Sequence, residues 1–261
     1  EGRVGGNHIY VVDASGGEPV QATSGPGEEF EPSWSPDGRR IAFTSVSGNR
    51  SHVELVNSDG SGRVRLANGG GPEWSPTGDA IAFITDEGGD LDIDVIAPNG
   101  SDRKRLTSGP ADDFGPVWSP DGRRIAFFSE RDGDSELFVM NADGTRQRQI
   151  SDNNVVDEGA VWAPDGSHIA FVSYRDGADP FTLGNGNAEV FVATPTGQSV
   201  RNLTRSRTWE GDPAWSPDGT RLLFTRRDGY AQIFVTSLHG EAVPLRGVAA
   251  AANDCCSAWA H

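Results

Sequence analysis

Trp34-Ser35-Pro36-Asp37-Gly38, followed by Ile41-Ala42-Phe43, is a phrase the chain repeats. It returns as Trp74-Ser75-Pro76-Thr77-Gly78, Trp118-Ser119-Pro120-Asp121-Gly122, Trp162-Ala163-Pro164-Asp165-Gly166 and Trp215-Ser216-Pro217-Asp218-Gly219, and Trp259 opens a sixth copy. The tryptophans stand 40, 44, 44, 53 and 44 residues apart, a period that signals a propeller or solenoid. In the third copy Val117-Trp118, Arg124 to Ser129, Glu136 to Asn141 and Arg148 to Ser151 are short apolar runs divided by turn residues. Pro-Asp-Gly suits the first turn, because Pro presets φ and Gly accepts a positive one. A Pro and a Gly every few residues exclude helices.

Four antiparallel strands per unit, repeated around an axis, make a β-propeller blade. The expected fold is all-β: a six-bladed propeller in one domain over residues 1–261. Its blades cover about 24–67, 68–107, 108–151, 152–204 and 205–246, with a split blade of 1–23 plus 247–261. Ile9-Tyr10-Val11 matches a third strand, Val20 to Thr23 a fourth, and Ala258-Trp259 a first. The I-A-F strand of that blade is unaccounted for, so residues beyond His261 or another segment would supply it.

The W-S-P-D-G, I-A-F, aromatic-V-x-N-x-D-G and L-T phrases resemble the repeats of TolB-type propellers over nearly the whole chain. The family's namesake is periplasmic and binds the lipoprotein Pal at the tunnel mouth. The resemblance therefore implies a periplasmic or extracellular protein-binding propeller. The namesake's N-terminal α/β domain has no counterpart in these 261 residues, and roles that depend on it are not implied.

Composition agrees with strands and turns: 35% hydrophobic residues, 34 Gly and 16 Pro. A formal charge of −16 disfavours nucleic acid and anionic lipid and favours a cation or a basic partner. Cys255-Cys256, being adjacent, form no C-x-x-C motif; free thiols, a vicinal disulfide or bonds to another chain stay open.

Irregularity collects on one face, that of the second-to-third loops and the inter-blade connections. Blade four carries nine extra residues within Ala178 to Glu189, and the connection into blade two is four residues short and reads Gly69-Gly70-Gly71. A regular scaffold with one variable face is where loops carry function. Five residues before the tryptophans stand Glu29, Gly69, Asp113, Asp157, Glu210 and Asp254. These acids read either as a collar at a tunnel mouth, or as loop-capping residues accepting backbone N–H bonds. Glu158 follows Asp157 on that face. Phe30, Phe114, Trp209 and, in the insertion, Phe181 are aromatic anchors for a protein or peptide partner, or inter-blade packing.

Asp90-Leu91-Asp92-Ile93-Asp94 would set three carboxylates on one side of a strand. Where other blades have Tyr10, Phe138, Phe191 and Phe234, this blade has Asp94 and blade one Glu54. Such acids face water, pair with arginines, or bind a hard cation such as Ca²⁺. The five histidines show no H-E-x-x-H spacing and no serine elbow is hosted on a helix. A non-enzymatic binding propeller is the leading expectation. The alternatives are a metal-dependent propeller enzyme of lyase or hydrolase type, and a structural subunit that self-associates through the split blade or the cysteines.

Overall fold

The computed structural model describes residues 6–174 and 188–245. Phe181, Asp254, Cys255, Cys256, Trp259, the blade-four insertion and the C-terminal part of the split blade lie outside the described residues. The chain divides into two compact units, residues 1–122 with 142–145 and residues 123–141 with 146–261.

Strands are the only regular elements among the described residues. A two-stranded sheet pairs β1 (Tyr10–Val11) with β2 (Val20–Gln21). Five four-stranded sheets follow, each ordered as the chain runs. The first holds β3 (Glu28–Trp34), β4 (Arg40–Ser47), β5 (Arg50–Asn57) and β6 (Val64–Asn68). Next come β7 (Gly70–Trp74), β8 (Ile81–Thr85), β9 (Asp92–Ile96) and β10 (Lys104–Arg105). The third has β11 (Asp113–Trp118), β12 (Arg124–Ser129), β13 (Glu136–Asn141) and β14 (Arg148–Gln149). The fourth is β15 (Asp157–Trp162), β16 (Ile169–Ser173), β17 (Glu189–Ala193) and β18 (Val200–Asn202). The last is β19 (Trp209–Trp215), β20 (Arg221–Asp228), β21 (Tyr230–Ser237) and β22 (Val243–Pro244). The expected second and third strands of copy three match β12 and β13 residue for residue, while the first begins four residues earlier than expected.

The repeated turn is held by its own residues. The Gly38 amide donates to the Ser35 carbonyl at 2.8 Å, with Gly38 at φ 66°. The Ser35 hydroxyl donates to Asp37 at 2.6 Å and accepts from the Arg40 amide at 2.9 Å. Ser216 repeats this with Asp218 and Arg221. Blade four has Ala163 in place of the serine, and there Asp165 takes the amide and hydroxyl of Ser167 instead. The threonine of the L-T phrase also has a place. Thr23, Thr107 and Ser151 accept the amides of Ile9, Ile93 and Leu137, each at 2.8 Å, at the start of a third strand. The two-stranded sheet thus carries the same closing bond as a complete blade.

The core sits on the second strands. Phe43, Phe83, Phe127, Phe171 and Phe224 are fully buried. Their cross-strand partners are Glu54, Asp94, Phe138, Phe191 and Phe234. Three pairs are ring on ring, with centroids 5.6, 5.9 and 5.7 Å apart. In the other two a guanidinium covers the ring: Arg63 over Phe43 at 5.2 Å and Arg103 over Phe83 at 5.3 Å. Arg63 donates from Nε to Glu54 at 2.6 Å, and Arg103 to Asp94 at 2.7 Å. A carboxylate replaces phenylalanine in the two blades where an arginine stands just before the fourth strand. The cation–π contact and the charge-assisted bond together offset the cost of burying the acid.

The turn carboxylates set the acid limit of the fold. Hydrogen bonds from Ser216 and Thr220 hold Asp218 down at about 2, and similar bonds lower Asp37, Asp79 and Asp165. A carboxyl depressed in the folded state stabilises above its unfolded pKa, and that contribution disappears as pH falls through the folded one. Urea midpoints are expected to drop between about pH 4 and pH 2. Ser216→Ala should lower stability at pH 7 by about 1 kcal/mol and flatten the acid limb.

Candidate functional site

The innermost strands share a device that the sequence pattern did not reveal. Register slips by one residue between Phe30 and Ser33, Gly70 and Glu73, Glu158 and Val161, and Gly211 and Ala214. Each slip is a β-bulge, which bends a strand and re-aims its side chains. Three residues before the tryptophans, Glu31, Gly71, Gly115, Gly159 and Asp212 all adopt left-handed φ, between 51° and 64°. Three of these are glycine, for which the region is unstrained. Glu31 and Asp212 hold it with a side chain. The Glu31 carboxylate accepts the Thr44 hydroxyl at 2.8 Å and the Gly71 amide at 3.0 Å, so its strained backbone aims it at the next blade. The recurrent Gly or acid at this offset was the available signal.

Of the two readings of the acids two residues earlier, an open collar does not describe Glu29, Asp113, Asp157 and Glu210. Glu29, Asp113, Asp157 and Glu210 are all at most 3% exposed. Their amides, with that of Gly69, reach back to the preceding blade: Glu29 to Asn7, Gly69 to Ser51, Asp113 to Leu91, Asp157 to Ser135 and Glu210 to Ala188, at 2.8 to 3.0 Å. Their side chains turn into the same joints. Arg63 donates to Glu29 at 3.0 Å, and His8 and Thr23 contact the other oxygen. Arg226 donates from Nε to Glu210 at 2.6 Å. Burial raises the Glu210 pKa against the opposing pull of Thr204 and Arg226. Buried acids must be partnered, and these are spent on joining blades.

Of the readings open to the Asp90–Asp94 run, pairing with arginines describes Asp92 and Asp94. β9 begins at Asp92, so Asp90 precedes the strand. Asp92 and Asp94 are buried on one face and ion-paired, Asp92 with Arg105 at 3.1 Å and Asp94 with Arg103. Both carboxylates thus face guanidinium groups, and among the described residues no group of three His, Cys, Asp or Glu side chains could hold a metal.

The joint at Glu136 is built on hydroxyl and amide donors. Glu136, fully buried, accepts from the Ser151 hydroxyl, the Asn153 amide and the Asn153 side chain, and Asn153 also donates to Asp157 at 3.1 Å. Burial pushes Glu136 up to about 7; its hydrogen bonds oppose this and Asp157 adds to it.

Two clefts open among the described residues on the variable-loop face. In the first unit a cleft of about 920 Å³ is lined by Phe30, Gly69 to Gly71 and the loops around Arg50 and Asp86. In the second unit a smaller one, about 380 Å³, is lined by Glu158, Val172, Trp209 and Asp212. The Trp209 ring lies against Gly211, where a Cβ would come within 2.4 Å of it, and Arg227 covers it at 4.3 Å. It packs on a cluster of Val172, Tyr174 and Ala188, and the Tyr174 hydroxyl donates to the exposed Glu158 carboxylate at 2.9 Å. Phe30 and Phe114 are half-buried. The structure thus brings Glu158 and Trp209 together, sets Phe30 in the other cleft, and withdraws the acids.

Six antiparallel sheets of this construction define a β-propeller. The family model described as "TolB beta propeller domain" matches residues 2–114 and 71–181. The chain belongs to this TolB-type propeller family. Among solved structures, TolB from Acinetobacter baumannii is similar with a TM-score of 0.65 at 22% identity, over 92% of this chain and 60% of that one. An oligogalacturonate lyase in complex with manganese gives 0.69 at 16%, over 93% and 73%. A puromycin-hydrolyzing peptidase from Mycobacterium tuberculosis gives 0.69 at 15%, over 91% and 41%. The chain therefore spans 60% of the length of the A. baumannii protein. At these identities the likeness concerns the fold. No curated protein matches the sequence.

Two substitutions test the joints. Among basic partners, Arg63→Ala leaves Glu54 only the longer contact to Arg65 at 3.7 Å and Glu29 only His8, and should cost about 3 kcal/mol in urea unfolding. Glu136 holds in the folded state a proton that the unfolded chain has released between about pH 4.5 and 7, so stability falls as pH rises through that window. Glu136→Gln should remove this slope and unfold at higher urea than the parent at pH 8, with a smaller difference at pH 5.

Proposed function

We propose that this TolB-type propeller is a non-enzymatic module that binds a protein or peptide on its variable-loop face. The observation that carries the reading is Trp209, a half-exposed indole held between Arg227 and Gly211 beside the Glu158 carboxylate. An aromatic side chain fixed before binding loses little entropy on contact, and such rings dominate interface energetics. Phe30 and Phe114 extend the same chemistry along the inner strands. The acid excess supports a basic partner through long-range attraction, even though the collar carboxylates themselves are buried. The family supports a periplasmic or extracellular setting, and no helix among the described residues is long and apolar enough to cross a membrane.

A random heptapeptide library selected on the immobilised protein tests this. An enriched consensus is expected, binding the Trp209→Ala variant at least about tenfold more weakly, as hot-spot aromatics do. Failure to enrich any consensus, or a consensus indifferent both to Trp209→Ala and to blocking of the first unit's cleft, would refute the reading.

A further inference from the structure

The larger cleft has a cause in the sequence. Gly69-Gly70-Gly71 shortens the connection into β7, and the glycines let that strand lie hard against its neighbours. A Cβ on Gly69 would stand 2.2 Å from the Ile84 carbonyl, and one on Gly70 3.1 Å from Thr44. No acid side chain can occupy the position that Glu29 or Asp157 fills in other blades. The space over the shortened connection stays open at about 920 Å³, at the upper end of ordinary ligand sites.

The lining is amphipathic and polarised. Phe30, Ile84 and Leu91, each half-buried, form the apolar part. Two exposed charges of opposite sign stand on successive blades, Arg50 at the start of β5 and Asp86 just after β8, and neither makes an ion pair among the described residues. The other acids of the lining are engaged: Glu87 with Arg103 at 2.9 Å, and Glu31 with Thr44 and Gly71. Asn68, also on the rim, meets His52 at 3.2 Å and Glu87 at 3.4 Å, and its amide has a second N–H and a second oxygen lone pair for a peptide backbone.

We propose that this cleft takes an extended peptide segment of a partner, with one aliphatic side chain on the Phe30–Ile84–Leu91 surface. A basic side chain of that segment faces Asp86 and an acidic one faces Arg50. The proposal rests on the peptide-binding reading above and assigns it a second subsite, separate from Trp209. A cationic peptide drawn only by net charge would not need Arg50, so the acidic group on the ligand is the distinguishing requirement.

The probes are fluorescein-labelled, capped heptapeptides of glycine and serine with a central leucine, flanked on one side by lysine and on the other by glutamate. Companion peptides replace leucine by serine, lysine by glutamine, or glutamate by glutamine. Fluorescence anisotropy with the full chain is expected to show binding of the complete peptide, weakened at least about tenfold without leucine. Ser51→Trp, on the exposed rim, should block every peptide. In double-mutant cycles, Asp86→Asn should couple to loss of the lysine and Arg50→Gln to loss of the glutamate, each by about two- to fivefold. No binding at millimolar peptide, equal binding of the leucine and serine peptides, or absent coupling in both cycles overturns the proposal. Binding abolished by Trp209→Ala yet untouched by Ser51→Trp overturns this cleft while leaving the peptide-binding reading intact.

Discussion

A carboxylate taken out of water must find a cation or several hydrogen-bond donors, and this chain takes many out of water. Glu29, Glu54, Asp92, Asp94, Asp113, Glu136, Asp157 and Glu210 are all buried. They lie at blade joints and on the faces of third strands. Arg63 serves two of them at once, bridging Glu54 and Glu29 while it covers the Phe43 ring. The architecture depends on this matching of acids to guanidinium, hydroxyl and amide groups. The phenylalanine layer fills the core, and the carboxylate layer sets how one sheet meets the next.

That constraint also shapes the surface left for function. Acids used in joints are not presented to a partner, so the binding proposed for this propeller draws on groups the joints leave over. Those are the aromatic side chains of the bulged inner strands, Glu158 beside Trp209, and the exposed Arg50 and Asp86. The bulge is the link between scaffold and site. It turns each inner strand through one left-handed residue, joins blades at the buried acid, and presents Phe30 or Trp209 on the same side.

Much of the fold was legible in the repeats. The Trp-Ser-Pro-Asp-Gly turn and the Ile-Ala-Phe strand depend on local properties, a preset φ, a glycine and a short apolar run, and these survive in the order of residues. The β12 and β13 bounds could be read for that reason. The candidate site was legible only as a face. The offset of five from each tryptophan located the blade joints, but whether Asp157 faces solvent or Asn153 is decided by how far the neighbouring strand reaches. The pairing of Asp94 with Arg103 had the same origin: the two are nine residues apart in sequence and meet because β9 and β10 are adjacent.

The sequence by itself determined a TolB-type propeller of short antiparallel strands, because period, turn chemistry and strand patterning are local and repeat. Only the tertiary structure decided which acids are structural, which aromatic ring is held ready, and that the triple glycine opens a cleft. Those outcomes depend on distances between side chains of different strands, such as the 4.3 Å from Arg227 to Trp209 and the 2.6 Å from Arg63 to Glu54. Burial and pairing are properties of the packed molecule, and no spacing along the chain encodes them alone.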